Sequence, residues 1–395
     1  MMLRGEIVGD LLRRANTTAP DLLIADVAAA LGDAGAHRAV LYVVDYEQED
    51  LCPVMLASEL HQVAPLPVRV AGTMAGRAFQ RQEVVSAKTE DGWLVWTPVR
   101  ERAERIGVLE LGFDRLDDDR LRLCEDLGRL VGHLVRTASR YTDVIELARR
   151  RQNMNMAAEI QWDMLLPPLA FCSPEVSIAG ILEPAYVVAG DAFDYCLNGD
   201  TLTFAMLDAM GHGLASALTS TLALAGLRHG RRRGFELADM VRHIDQTLVA
   251  QFDGECFVTG HVGQLDVATG EVRWINCGHP DPLLLRGASV ASEPHIDPCL
   301  PLGLGSAVDV VGRLRLEPGD RLLFYSDGVI EARTEKGEQF SIDRLRERLE
   351  RHLSDHASPA EVIRRIVADV LDHRQGPLAD DATLFMIEWL PDSTG

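Results

Sequence analysis

The sequence lacks the cysteine pattern of a disulfide-bonded or zinc-binding protein. It has 395 residues and seven cysteines, an odd number, and no two of them form a C-x-x-C pair. Scattered cysteines of this kind argue against a disulfide framework and against a zinc cluster. We therefore expect a protein of a reducing compartment, and the predicted location is cytoplasmic.

Positive charge is also scarce in this chain. Lysine and arginine number 39 against 60 aspartates and glutamates, which gives a formal net charge of −21. Nucleic acids and anionic membranes both require a positive protein surface. The sequence therefore predicts no nucleic-acid partner and no membrane partner, and it leaves many carboxylates available for other work.

Long apolar runs and two common cofactor motifs are missing as well. No window reaches the roughly 18 uninterrupted apolar residues of a membrane helix, and the charged residues 1–14 contain no apolar stretch typical of a secretory leader. The chain has no G-x-x-x-x-G-K-S/T phosphate loop, and we identify no haem or iron–sulfur ligands in its first 120 residues. These absences argue against membrane-embedded and nucleotide-binding proteins.

What the chain does contain predicts two domains with a connecting segment. Apolar residues make up 47% of it, enough for cores of ordinary size. The first 120 residues combine helical spacing with strand patterns, which predicts a small α/β unit. Its predicted elements are a helix at 20–31, a strand at 38–44, a strand–turn–helix–strand unit at 68–85, and a hairpin of strands 93–99 and 106–111.

A heptad pattern follows this unit. Apolar residues alternate at spacings of four and three, and they are Leu127, Val131, Leu134, Ala138, Tyr141, Ile145 and Ala148. Such a pattern occurs in the core of a single bundle or in the seam of a parallel coiled coil. We favour the seam, and we therefore predict a homodimer through a linker helix that ends before Pro167 and Pro168.

The second half of the chain reads as short strands, separated by turn residues, with a few helices. The predicted strands lie at 176–179, 201–207, 257–265, 272–276, 321–325 and 383–387, and the predicted helices at 215–227, 237–251, 342–353 and 359–372. This order predicts an antiparallel sandwich flanked by helices.

Aspartates stand at the ends of these strands in four separate places. Asp208 follows the strand at 203–207, Asp191 lies in the block AGDAFD, Asp327 follows LLFYS, and Asp380 and Asp381 open the final strand. One such aspartate alone is usually a turn former, but four from distant parts of the chain indicate a shared site. Clustered carboxylates raise one another's pKa, and they stay ionised when Mg²⁺ or Mn²⁺ lies between them.

Six sequence blocks within residues 160–390 carry a family resemblance. They are AGDAFDY, LDAMGHG, FVTGHVGQLDVATGEVRWINCGHPDPLLL, PLGLG, LEPGDRLLFYSDGVIEA and ADDATLFMI. In this order they resemble the metal-dependent protein phosphatases of the 2C-like (PPM) superfamily, in its bacterial SpoIIE branch. The resemblance implies an α/β (α+β) fold class with a PPM-type β-sandwich flanked by helices.

The resemblance also implies a site with two divalent cations, Mn²⁺ or Mg²⁺. Asp191 and Asp208 correspond to metal ligands that act in catalysis, with Asp208 bridging both metals. Ala209 corresponds to a ligand through its main-chain carbonyl, and Asp327 and Asp380 complete the set. The reaction implied is hydrolysis of a phosphoserine or phosphothreonine ester by a metal-activated water.

Neighbouring residues have less certain roles. Asp381 corresponds to a helper beside the metal site, and Asp194 has two open interpretations, a hydrogen bond to metal-bound water or a turn cap. His212 is expected to pack in its turn or to support the metal site, rather than to act as a general acid, and His279 is expected to anchor the loop beneath the site. The arginine-rich run at 228–233 is expected to be a solvated helix end rather than a docking surface for an acidic protein.

Three departures from the family pattern are visible. Ala189 replaces a glycine of the G-G-D block, Cys277 replaces an alanine of N-A-G-H, and no phosphate-gripping arginine is evident near residues 176–190.

The first 120 residues resemble a GAF sensor domain through the block LPVRVAGTMAGRAFQRQEVV. We therefore predict a GAF-like sensor domain at 1–122, a helical coiled-coil linker at 123–168 and a SpoIIE-type phosphatase domain at 169–395. The family implies that the substrate is a phosphorylated anti-sigma-factor antagonist. The alternatives are a non-catalytic scaffold and a small-molecule phosphoesterase. We expect the sensor to act by moving residues 157–166 against the helix at 215–227.

Overall fold

Two compact units make up the chain, Met1–Asn153 and Met154–Gly395. The computed structural model describes residues 4–33, 35–54, 65–183, 186, 190–305, 308, 310–355, 357–374, 378 and 380–391. The boundary between the units falls inside the predicted linker at 123–168, so these residues form no third unit. Ala189 lies outside the described residues.

The first unit contains a six-stranded antiparallel sheet. Its elements are α1 (Arg4–Thr17), α2 (Leu23–Asp33), β1 (Ala36–Val44), β2 (Asp50–Pro53), β3 (Val68–Arg69), α3 (Met74–Arg81), β4 (Val85–Thr89), β5 (Gly92–Glu101), β6 (Glu104–Phe113), α4 (Asp118–Ala138) and α5 (Val144–Arg149). The strand order is β3-β2-β1-β6-β5-β4. The predicted hairpin is confirmed as β5 and β6, which pair antiparallel along their length.

Helix α4 packs closely on the sheet of the first unit. A Cβ at Gly128 would lie 2.3 Å from the carbonyl oxygen of Pro98, and one at Gly132 would lie 2.1 Å from that of Arg100. The absence of side chains at these two positions allows the helix backbone to touch β5. The apolar face of α4 is thereby pressed into the unit's own core.

All the heptad residues except Tyr141 lie in that core or pack against it. Leu127, Val131, Leu134 and Ala138 are buried together with side chains of α1 and α2. Helix α4 ends at Ala138, and Tyr141 is 73% exposed. The prediction of one continuous coiled-coil helix is therefore wrong. The spacing of a seam and that of a helix packed on its own sheet are alike, and a tertiary contact decides between them.

The second unit is a sandwich with helices outside both sheets. Its elements are α6 (Met156–Glu159), a π-helical turn (Ile160–Leu165), β7 (Ala170–Cys172), β8 (Val176–Glu183), β9 (Asp191–Asn198), β10 (Thr201–Ala209), α7 (Leu214–Arg232), α8 (Leu237–Phe252), β11 (Val258–Asp266), β12 (Glu271–Cys277), β13 (Leu283–Arg286), β14 (Ser289–Ser292), β15 (Gly312–Arg315), β16 (Arg321–Tyr325), α9 (Asp327–Glu331), α10 (Ser341–Leu353), α11 (Pro359–Arg374) and β17 (Ala382–Trp389).

The two sheets have the strand orders β15-β12-β11-β10-β9 and β14-β13-β16-β17-β8-β7, and every neighbouring pair is antiparallel. Strand β10 shows how they pack. Phe204 and Met206 face the other sheet, where the rings of Phe204 and Phe324 lie 5.2 Å apart. Ala205 and Leu207 face α7 and α8. The predicted sandwich is thus confirmed.

No helix in the described part of the chain is both long enough and apolar enough to cross a membrane.

Candidate metal centre at one end of the sandwich

Four strand ends meet at one end of the sandwich. In the five-stranded sheet, β9 begins and β10 ends there, with Asp191 opposite Asp208. In the six-stranded sheet, β16 ends and β17 begins there, with Tyr325 opposite Leu384. The backbone N–H of Asp191 donates to Oδ2 of Asp381 over 3.2 Å, which joins the two sheets at this end. Antiparallel pairing therefore collects aspartates from distant parts of the chain.

Strand alternation directs the first two carboxylates between the sheets. Phe193 on β9 and Met206 on β10 are buried in the core between the sheets. Because side chains two residues apart share a face, Asp191 and Asp208 point to the same side as these two residues. The carboxylates thus continue the inter-sheet layer beyond its last apolar side chains.

Asp191 is the most deeply placed of the predicted carboxylate ligands. It is 2% exposed, and its Oδ2 atom is buried without a hydrogen-bond partner among the described residues. Burial raises the pKa of Asp191 well above its ordinary value, and the carboxylates of Asp208 and Asp381 raise it further. An unpartnered buried carboxylate oxygen is costly unless a proton or a cation compensates it.

Asp208 lies nearer the opening and is half-buried. Burial, followed by the charges of Asp327 and Asp380, raises the pKa of Asp208 to about 7. Asp327 and Asp380 are themselves exposed at the rim. Asp191, Asp208, Asp327 and Asp380 thus lie in one region of the second unit, with Asp191 buried and the other side chains progressively more open to solvent.

Two glycines allow these strand ends to approach one another. A Cβ at Gly190 would lie 2.3 Å from the carbonyl oxygen of Ala209, the residue predicted to bind metal through that oxygen. A Cβ at Gly328 would lie 1.9 Å from the carbonyl oxygen of Asp381. Any larger residue would separate the backbones that carry the aspartates.

The donor set suits a hard divalent cation. The side-chain donors are carboxylate oxygens, which Mg²⁺ and Mn²⁺ prefer, and their mutual repulsion and the unpartnered Oδ2 of Asp191 call for positive charge. Within the described ranges, no three His, Cys, Asp or Glu side chains are gathered closely enough to form a finished metal site. The aspartates thus share one region without meeting at one coordination point.

Sequence reasoning missed two residues that hold the backbone here. Gln161, fully buried in the π-helical turn, donates through Nε2 to the carbonyl oxygen of Asp191 over 2.6 Å. Ser220 on α7 donates to the carbonyl oxygen of Gly190. In the sequence, Gln161 is a polar amide within the apolar run 157–166, and this pattern could have pointed to its role. The sequence around Ser220 contains no comparable signal.

The interpretations of Asp194 need correction. Asp194 shares the helix-facing side of β9 with Ala192, opposite to the side of Asp191, and it lies within the strand rather than at a turn. Its carboxylate accepts hydrogen bonds from Arg228 at 2.9 Å and from Arg231 at 2.8 Å. The run at 228–233 is therefore not simply solvated, because two of its arginines attach α7 to the sheet.

The structural role predicted for His279 agrees with its position. It is buried, its Nδ1 lies 3.1 Å from Oγ1 of Thr259, and its backbone N–H donates to Oδ1 of Asn276 at 2.8 Å. Burial, and then the neighbouring His261, lowers the pKa of His279 to about 3, so the ring is neutral. Thr259 is the cross-strand partner of Asp208. His212 is exposed.

An antiparallel sandwich covered by helices, with carboxylates collected at one end, is the architecture that the resemblance to 2C-like phosphatases implies. Residues 198–390 match the family described as Stage II sporulation protein E (SpoIIE). This stretch of the second unit thus matches the family that the six blocks predicted. The match includes Asp208, Asp327 and Asp380, and it begins after Asp191. The GAF-like resemblance of the first unit stays a prediction.

Similar proteins include two from Bacillus subtilis (strain 168). The phosphoserine phosphatase RsbU is 22% identical over 238 residues, covering 60% of this chain and 70% of RsbU. The phosphoserine phosphatase RsbP is 22% identical over 187 residues, covering 46% of each chain. The chain thus spans about two thirds of one relative and less than half of the other.

Two solved structures are similar to the chain at low TM-scores. The RsbU and RsbW domains of Rv1364c from Mycobacterium tuberculosis are 28% identical, with a TM-score of 0.47, covering 55% of this chain and 62% of that one. The catalytic domain of the serine/threonine phosphatase PstP, in complex with two manganese ions, is 18% identical, with a TM-score of 0.39, covering 55% and 99%.

Proposed function

We propose that the second unit is a metal-dependent phosphatase acting on phosphoserine or phosphothreonine in a protein. The observation that carries the proposal is the convergence of Asp191, Asp208, Asp327 and Asp380 at one end of a sandwich whose sequence matches the SpoIIE family. Two relatives are named phosphoserine phosphatases, which supports the same chemistry.

The predicted ligands Asp191, Asp208, Asp327 and Asp380, with the carbonyl of Ala209, would hold two divalent cations, Mn²⁺ or Mg²⁺. When bound, such cations lower the pKa of a water and neutralise phosphate charge. The chain's own residues supply the rest. Asp381 fixes the backbone of Asp191, and the exposed rim leaves the outer side open to a phosphoester on a protein surface.

A phosphorylated protein is the proposed substrate, specifically an anti-sigma-factor antagonist. The exposure of Asp327 and Asp380 favours a bulky substrate, because a side chain carried by another protein can reach an open rim. The homodimer and the cytoplasmic location stay predictions. A homodimer through 123–168 would have to use residues other than the heptad side chains buried in the first unit.

Regulation by the first unit is part of the proposal, with the π-helical turn as the transmitting element. Gln161 of this turn holds the carbonyl oxygen of Asp191, and the carbonyl oxygen of Leu165 accepts a hydrogen bond from Arg228 of α7. Leu165 is also buried in the core beneath α7. A shift of this turn would therefore move the backbone of Asp191 and α7 together.

Replacement of Asp208 tests the activity. We expect Asp208→Asn to lower Mn²⁺-dependent hydrolysis of p-nitrophenyl phosphate and of a phosphoserine protein by about 100-fold or more, because a charge that holds the cations is lost. Asp200→Asn, in the exposed β9–β10 turn, is the matched control and should retain activity.

Retained hydrolysis in Asp208→Asn would contradict the proposed site. A wild-type protein that binds partners but hydrolyses neither substrate would be a scaffold, and preference for nucleotides over phosphoproteins would identify a small-molecule phosphoesterase.

A further inference from the structure

Two thiols of the second unit lie side by side outside the aspartate cluster. The sulfur atoms of Cys277 and Cys299 are 3.6 Å apart. Cys277 is the last residue of β12 and is fully buried, whereas Cys299 is partly exposed in the irregular segment after β14. Cys277 is also a departure from the family pattern, which has alanine there. Both features belong to this chain rather than to the proposed hydrolytic site.

The backbones that carry the two thiols are joined by a hydrogen bond. The N–H of Cys299 donates to the carbonyl oxygen of Asn276 over 2.9 Å, so the two segments run beside each other. Starting from a separation of 3.6 Å, the sulfurs need to move closer by about 1.5 Å to bond.

The surroundings of each thiol assign it a different part in a reaction. Cys299 is reachable from solvent, so an oxidant meets it first. The hydrogen bond with Cys299, together with burial, raises the pKa of Cys277 well above its ordinary value. Cys277 therefore stays a protonated thiol beside Cys299. This arrangement, an accessible thiol beside a buried one, is typical of a thiol that reacts and a partner that resolves it.

We propose that Cys277 and Cys299 form a reversible disulfide in response to peroxide. The Cys299 thiolate attacks hydrogen peroxide, forming an S–O bond and breaking the O–O bond, and hydroxide leaves and is protonated to water. The sulfur of Cys277 then attacks the Cys299 sulfenic acid. The S–S bond forms, the S–O bond breaks, and water leaves with the Cys277 proton. One peroxide is reduced to two waters, and a small dithiol reverses the change by exchange.

The bond would connect two loops beside β11. Cys277 leads into the loop of His279, which contacts Thr259, the partner of Asp208. Cys299 leads to Gly303 and Gly305, whose N–H groups donate to Asp245 of α8. Oxidation would therefore fix a segment of irregular backbone against a strand that neighbours the candidate site. The bond itself is independent of whether the unit hydrolyses phosphoesters.

Thiol mapping of the full-length protein tests the inference without any activity assay. After brief treatment with hydrogen peroxide and alkylation of the remaining thiols, the number of labelled cysteines should fall by two from seven. Digestion should yield one peptide pair joined through positions 277 and 299, and dithiothreitol should restore all labels. Cys196→Ser, which removes a thiol beside Asn198 rather than beside another cysteine, should leave the bond intact, whereas Cys299→Ser should abolish it.

The inference is overturned if treated wild-type protein keeps all its thiols. It is equally overturned if Cys299 becomes sulfinic or sulfonic acid without the link to Cys277, or if the bond joins other cysteines. The wild-type peptide map decides these outcomes even if the Cys299→Ser variant does not fold.

Discussion

At the scale of single residues, the second unit places negative charge where it is costly. Asp191 is buried with an unpartnered oxygen, and Asp208 has a pKa of about 7 because of burial and the nearby Asp327 and Asp380. Protons and cations compete for such carboxylates, so cation affinity should rise with pH up to about 7. The same residues that would hold metal therefore destabilise the metal-free fold.

Asp208 makes this cost measurable through pH. Its pKa is 3.8 as an ordinary carboxyl and about 7 in the fold, so between these values the folded state keeps a proton that the unfolded state has released. Asp208 thus lowers the free energy of unfolding as pH rises through this window. We expect Asp208→Asn to be more stable than wild type at pH 8 in EDTA by up to roughly 4 kcal/mol, with little difference near pH 4.

Denaturant unfolding of both proteins across this range checks the prediction. His261 and His279 titrate in both proteins, so their contributions cancel in the difference. Asp200→Asn should show no such trend, and a difference between Asp208→Asn and wild type that stayed constant from pH 4 to pH 8 would contradict it.

At the scale of elements, the site depends on segments that contribute no ligand. The π-helical turn holds Asp191 through Gln161, α7 holds Gly190 through Ser220, and Arg228 and Arg231 attach α7 to Asp194. The predicted ligands lie at strand ends, but these neighbouring elements fix the backbone that presents them. Partners of this kind commonly tune metal affinity.

Gln161 is where this dependence can be tested. Gln161→Met keeps the side-chain length and removes the donor to the carbonyl oxygen of Asp191. We expect the Mn²⁺ concentration for half-maximal hydrolysis to rise about tenfold, with the rate at saturating Mn²⁺ little changed. Gln246→Met, at an exposed site on α8, should behave as wild type. If Gln161→Met required the same Mn²⁺ concentration as wild type, the π-helical turn would not influence metal binding at the site.

At the scale of the whole molecule, each unit has a core of its own. Side chains of α4 fill the first core, and the facing sheets form the second. The heptad face therefore contributes to the stability of the first unit rather than to a seam between copies. A regulatory signal through 123–168 would have to pass by rearrangement of packed elements, not by unzipping a coiled coil.

Leu134→Asp distinguishes these two cases. Leu134 is 9% exposed within the first core, so an unpaired carboxylate there should destabilise that unit by about 3 kcal/mol or more. Hydrogen exchange of the full chain should show faster exchange in α4 and unchanged exchange in β10. Leu147→Asp, at a side chain that is 65% exposed, should alter neither. If Leu134→Asp left the protection of α4 from exchange unchanged and abolished a dimer, the result would contradict this packing and support the intermolecular seam.

The sequence alone determined the features that depend on local pattern and chain order. Apolar alternation specified the sandwich strands, and aspartates directly after or before strands specified the carboxylate end, because antiparallel neighbours return to the same edge of a sheet. Only the tertiary structure decided which distant surfaces meet. The heptad face packs on its own sheet, Asp194 pairs with Arg228 and Arg231, and Cys277 lies against Cys299. The spacing of residues along the chain is the same whichever surface they contact, so it could not predict these contacts.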